Sequence, residues 1–150
     1  MKNYQDGGEA ILEALRRLKM DYVISSPGSE WASFWEALAR QNRDATPGPT
    51  YIDVGHESIA INMATAYSKI TGRIQAVMLH AGAGMLQGAM AIDAAGAMET
   101  SLIVMSGEVL GYGEGELDPG SQWYRNLSVV GGTQHLIDPV VKWSQKVASI

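Results

Sequence analysis

The stretch VGHESIAINMATAYSKITG, Val54 to Gly72, places a single glutamate, Glu57, at the mouth of an otherwise apolar helical pattern. Ile59, Ala60, Ile61, Met63 and Ala64 leave little solvated face beside it. A carboxyl group in apolar surroundings is disfavoured in its ionised form, which suits proton transfer. The simpler role is a first-turn acid that favours the helix dipole, worth under about 1 kcal/mol at an exposed site. The second candidate is His80, directly after an apolar run; an unperturbed imidazole titrates near neutral pH and can relay protons, or it can merely cap or pack a turn. Ser29, in SPGSE, could cap the helix that follows, as could Ser26. His56 is expected to point away from Glu57, and His135 lies in a polar segment without a metal-binding companion. No residues stand at metal-ligand spacing.

A dinucleotide site competes with this chemistry. In HAGAGMLQG, Gly82, Gly84 and Gly88 approximate G-x-G-x-x-G, but the last glycine comes one residue late. Glu108 stands where a ribose-binding acid could follow. Glycines at a strand-to-helix turn also serve tight backbone geometry, and Met85, Met90 and Met98 read as packing.

These residues need elements to hold them. Ile11, Leu12, Leu15 and Leu18 line one face of an opening helix, and Trp31, Phe34, Trp35 and Leu38 recur at helical spacing in a second. Strand-like runs cover Tyr22 to Ser25, Thr50 to Val54, Ile74 to Leu79 and Ser101 to Met105, with helices over Glu57 to Ile70 and about Met85 to Met98. Gly72 stands where a left-handed helix cap belongs. A fifth strand is expected over Val140 to Val147, after a glycine-rich and acidic loop from Gly107 to Gly132. Alternation of strand and helix predicts an α/β fold, a three-layer doubly wound parallel sheet. Such sheets bind ligands beyond the carboxyl ends of their strands, here Ser25 to Ser29, Gly55 to Glu57, His80 to Gly84 and Ser106 to Glu108.

Composition narrows the function. The 150 residues are 46% hydrophobic, enough for one domain with a core. A net charge of -5 and no Lys/Arg cluster argue against nucleic acid as a partner. With no cysteine, no secretory leader pattern and no membrane-spanning apolar run, the expected setting is cytoplasmic.

Taken together, SPGSE, GHESIAINMATAYSKITG, LHAGAGMLQGAMAI, SLIVMSGE and PVVKWSQKVAS resemble the N-terminal pyrimidine-binding domain of thiamine diphosphate-dependent enzymes, the acetolactate synthase and 2-oxoacid decarboxylase group, with a lean toward the benzoylformate decarboxylase type. The resemblance implies that Glu57 hydrogen-bonds the cofactor's aminopyrimidine ring and drives loss of the thiazolium proton, so that a 2-oxoacid can be decarboxylated to an aldehyde or ligated to a 2-hydroxyketone. It assigns His80 to proton relay beside the substrate, Ser29 to the substrate carboxylate, and Pro27, Gly28, Gly82, Gly84 and Gln87 to the cofactor; Gln122 would also approach the substrate. Gly82-Ala83-Gly84 departs from the family's usual glycine-proline-glycine turn, and paired histidines are absent.

The family's domain continues through a further helix and strand, and Mg2+ and the diphosphate are held by a second domain. Residues 1–150 therefore read as an incomplete pyrimidine-binding domain. Its implied partners are a diphosphate-binding domain or subunit, a second copy in a homodimer or homotetramer, and a small 2-oxoacid. The alternative is a non-catalytic module that keeps the fold for binding or assembly.

Overall fold

In the computed structural model, residues 4, 6–107 and 132–147 are described. The chain begins with helix α1 (Gly7–Arg17), whose N-cap Asp6 accepts the Glu9 N–H at 2.8 Å and whose last turn carries Arg16 and Arg17. Both features complement the helix dipole. Strand β1 (Tyr22–Ser26) leads into a 3-10 turn (Ser29–Trp31) and helix α2 (Ala32–Arg43). Then follow β2 (Thr50–Asp53), α3 (Glu57–Thr71), β3 (Gln75–Leu79), α4 (Ala83–Ala97) and β4 (Leu102–Ser106), with a short α5 (Thr133–Ile137) and a 3-10 turn (Asp138–Val140) beyond.

The four strands form one parallel sheet in the order β2-β1-β3-β4. Period-two alternation sorts their side chains into two cores. Val23, Ala76 and Met78 face Leu12 and Leu15 of α1 and Trp31, Phe34, Ala37 and Leu38 at α2. Ile24, Val77 and Leu79 face Ala60, Ile61 and Ala64 of α3, Met85, Ala91 and Ile92 of α4, and Ile137. The result is the expected three-layer α/β sandwich of helices about a parallel sheet. Phe34 and Ile61 are wholly buried, and each such side chain contributes about 1.5–3 kcal/mol by leaving water.

The strand order makes β1 and β3 neighbours although the chain leaves β1 toward β2 and returns across it through α3. That reversal makes the carboxyl ends of β1 and β3 the topological switch point, the place where doubly wound sheets bind ligands.

Four expectations need correction. Residues 141–147 form no strand: they pair with no neighbour among the described residues, and side-chain bonds hold them instead, from Gln134 Nε2 to Ser144 Oγ at 2.8 Å and from Ser144 Oγ to Asp138 Oδ1. Trp143 is accordingly 77% exposed. Leu18 is exposed because α1 has already ended there. Neither serine caps α2: the 3-10 turn intervenes, Gly28 and Trp31 take the cap positions, and no side chain caps either element. Finally, Ile59 and Met63 lie on the outer face of α3 while Ala60, Ile61 and Ala64 are fully buried, so the apolar surroundings of Glu57 are one-sided.

Candidate active site

The carboxyl edge of the sheet collects most of the residues with chemistry. Glu57 opens α3 directly after the β2 loop; His56 is its N-cap, extended at φ -163, with Nδ1 accepting the Ser58 N–H at 3.1 Å. That bond holds the His56 ring on the helix end. Ser58 Oγ in turn donates to the Gln87 carbonyl at 3.0 Å, tying the first turn of α3 to α4. Gly72, at φ 69, closes α3 in the left-handed conformation expected of it.

Three glycines at the head of α4 explain the near-miss dinucleotide pattern by geometry. Gly82 has φ 57 and ψ -79, a backbone region that side chains rarely adopt. A Cβ on Gly84 would stand 2.9 Å from His80 Cβ and 3.1 Å from Glu57 Oε1. One on Gly88 would stand 2.8 Å from Ile61 Cδ1 and 3.0 Å from Leu79 Cδ1. Gly84 and Gly88, one turn apart, therefore let α4 press against α3 and the end of β3, and both Glu57 and His80 crowd the place where a Gly84 side chain would stand. Both side chains are half-buried.

His80 is fixed from several directions. Its N–H donates to the Ser26 carbonyl at 3.0 Å and its carbonyl accepts from Ser106 Oγ at 3.2 Å, so neighbouring strands hold its backbone. Its Nδ1 lies 2.9 and 3.0 Å from the two carboxylate oxygens of Glu30. Glu30 Oε1 also accepts the Ala81 N–H at 2.5 Å. Glu30 belongs to the 3-10 turn after β1, whose next residue, Trp31, is buried and donates from its indole to the Leu79 carbonyl at 2.9 Å. The turn thus inserts two side chains into the end of β3.

The carboxylate was missed in the sequence, where Glu30 shows only as the last letter of SPGSE. The pairing spans 50 residues and exists because β1 and β3 are adjacent; no local spacing encodes it.

Of the other anticipated residues, Pro27 and Gly28 lie half-buried in the β1 turn, and a side chain on Gly28 would collide with His80 Nδ1 and Glu30 Oε2. Ser29 is exposed at the start of the 3-10 turn. The Gln87 side chain is exposed on α4. Gln122 and Glu108 lie outside the described residues. Among the described residues no three His, Asp or Glu side chains gather in a way that could hold a metal ion, and no helix is long and apolar enough to cross a membrane.

Over residues 5–138 the chain matches the family model of the thiamine pyrophosphate enzyme N-terminal TPP binding domain. It belongs to that family. It is 27% identical over 104 residues to the acetolactate synthase large subunit of Haemophilus influenzae, a match that covers 69% of this chain and 17% of that one. It is also 27% identical over 143 residues to 2-hydroxyacyl-CoA lyase 2 of Xenopus laevis, covering 94% and 19%. Among solved structures, one described as a thiamin diphosphate-dependent enzyme from Mycobacterium smegmatis superposes with a TM-score of 0.70 at 28% identity, covering 97% of this chain and 25% of that one. Benzoylformate decarboxylase from Polynucleobacter necessarius gives a TM-score of 0.69 at 23% identity, covering 94% and 24%, and shares the fold. The chain thus spans about a fifth of its curated relatives and a quarter of the structures it matches.

Proposed function

We propose that these 150 residues form the pyrimidine-side half of a thiamine diphosphate site in a 2-oxoacid decarboxylase or carboligase, with Glu57 as the group that exchanges a proton with the cofactor's aminopyrimidine. The observation that carries this is the placement of Glu57 at the carboxyl edge of the sheet, where an added Cβ on Gly84 would meet both Glu57 Oε1 and His80 Cβ. The fit is chemical as well as steric. A half-buried carboxylate lies against a helix surface stripped of side chains, as a flat nitrogen heterocycle requires of a hydrogen-bonding partner beside it.

When bound, thiamine diphosphate supplies a carbon nucleophile and an electron sink for the bond beside a 2-oxoacid's carbonyl. This chain's share is narrower. Glu57 holds or releases one proton at a carboxylate oxygen, Gly82 and Gly84 keep the backbone clear beside it, and Pro27, Gly28 and Gln87 complete the cofactor's surroundings. His80 moves a proton on the substrate side, while Ser29 offers a hydroxyl to the substrate carboxylate and Gln122 a polar contact. The diphosphate and Mg2+ fall to a second domain or subunit.

Pairing with that domain, or with a second copy of this one, is supported by apolar side chains left uncovered on α3 and α4: Ile70 is 86% and Met90 84% exposed, with Ile59, Met63 and Leu86 nearby on the same helices. The same surface favours the second reading, a module kept for assembly without catalysis. Hydrogen–deuterium exchange at the thiazolium carbon separates the two. With the completed enzyme, Glu57→Gln should slow exchange and turnover on the order of a hundredfold or more. An unchanged exchange rate would remove Glu57 from the chemistry and leave the assembly reading.

A further inference from the structure

We propose that Glu30 is the positioning residue for His80: it fixes the imidazole's tautomer and ring orientation, so that Nε2 is the ring's basic nitrogen. This rests on the reading of His80 as a proton relay and adds the group that makes a relay of it.

The deduction is one of donors and acceptors. An ionised glutamate can only accept hydrogen bonds, and a backbone N–H can only donate. Glu30 Oε1 takes the Ala81 N–H at 2.5 Å, and both oxygens lie within 3.0 Å of His80 Nδ1. The ring must therefore bring a proton at Nδ1 to this contact. In the neutral imidazole the other nitrogen is then the acceptor, so any proton the ring takes up enters at Nε2. A histidine with mixed tautomers would present its basic atom only part of the time and in two places.

The surroundings are built to hold the pair. Its side chains are only 15% (Glu30) and 27% (His80) exposed. Gly28 and Gly107 line it where a Cβ would strike His80 Nδ1 and the Glu30 Cγ respectively. Trp31, the next residue in the turn, anchors Glu30 through its indole bond to Leu79, and the bonds to Ser26 and Ser106 fix the His80 backbone. Rotation of the ring would break the Nδ1 contact while every backbone restraint remained.

The test is nitrogen NMR of the 15N-labelled chain at a pH where imidazoles are neutral, with His80 resonances identified by their loss in His80→Ala. Proton–nitrogen correlations should show His80 protonated at Nδ1 and bare at Nε2. Glu30→Gln keeps the shape, but its amide can either accept from or donate to Nδ1, so the Nε2 resonance should move toward the protonated position. Glu30→Ala should move it at least as far. The Trp31 indole resonance, unmoved in Glu30→Gln, reports that the turn is still folded. An Nε2–H tautomer in the unmodified chain, or an Nδ1–H tautomer that survives both substitutions, overturns the proposal. Because the readout is spectroscopic, it stands apart from the catalytic reading: a tautomer set by Glu30 alongside normal turnover in His80→Ala would retain the positioning and discard the relay.

Discussion

Gly84 is the glycine whose missing side chain leaves room for both Glu57 and His80. An added methyl there would meet His80 Cβ at 2.9 Å, an atom too close to the backbone to swing away, and Glu57 Oε1 at 3.1 Å. Gly84→Ala should therefore leave the cooperative unfolding transition in place while lowering turnover of the completed enzyme at least tenfold, because displacements of about 1 Å in positioned groups carry costs of that order or greater. Turnover within twofold of the parent would show that neither neighbour needs its present position. For His80 the expected separation is between binding and chemistry. His80→Ala should keep cofactor affinity nearly unchanged and slow the steps that follow activation of the cofactor, seen as a changed distribution of intermediates in quenched reactions. Loss of cofactor binding, or unfolding, would return His80 to a packing role. At this scale the sequence was informative where a residue's position along its own element mattered. Glu57 opens a helix and His80 directly follows a strand, and both stand where the alternating pattern puts them. It was silent on Glu30, whose meaning depends on a residue 50 positions away.

At the scale of elements, close helix contacts decide stability. Gly8 in α1 is buried against the α2 backbone, where an added Cβ would lie within 2.5 Å of Phe34 N and nearer still to Ser33. Alanine is the better helix former by about 0.8–1 kcal/mol, yet overpacking against backbone costs about 1–3 kcal/mol. Steric cost should win, and Gly8→Ala should be destabilising by denaturant melts; an increase in stability would mean that α1 can slide away freely. Gln41 is the polar counterpart. Its Nε2 donates to the Pro49 carbonyl at 3.1 Å and its Oε1 accepts from Arg16 Nε and Nη2 at 3.1 and 2.9 Å, joining α1, α2 and the approach to β2. Gln41→Leu strands a buried carbonyl and should cost about 1–3 kcal/mol; a midpoint unchanged in urea would show that water takes over the bonds. Periodicity located the helices and strands well, because burial on one or both faces writes itself into spacing. It failed over Val140 to Val147, where an apolar and polar alternation exists but no partner strand among the described residues turns it into a ladder. It also overstated the burial of Ile59 and Met63, since spacing shows that a face is apolar without showing what covers it.

For the whole molecule, membership in the family and the three-layer architecture were both legible, the first from several motifs together and the second from alternation alone. Strand order was not, since nothing in a parallel run says which neighbour it will meet. The proposed division of the cofactor between two domains has a direct consequence for binding. Pyrimidine contacts alone must offset the entropy of immobilising a flexible ligand. Calorimetric titration of the 150-residue chain with thiamine diphosphate and Mg2+ should show no tight binding, and the diphosphate-binding domain should restore it. Micromolar or tighter affinity for the chain by itself would place the diphosphate site within this sequence.

The adjacency of β1 and β3 also bears on how the chain reaches this state. Val23 pairs with Ala76, and Ser25 Oγ donates to the Met78 carbonyl across 53 residues at 3.0 Å. Contacts of such separation carry a loop-closure cost before they return any stability, and they slow folding relative to helix formation. During synthesis, a ribosome that has delivered β1, the SPGSE turn, α2 and β2 has made Glu30 and Trp31 but not the strand end that receives them. These two side chains find their partners only once β3 emerges and inserts beside β1, which is also the step that brings His80 to the carboxyl edge of the sheet.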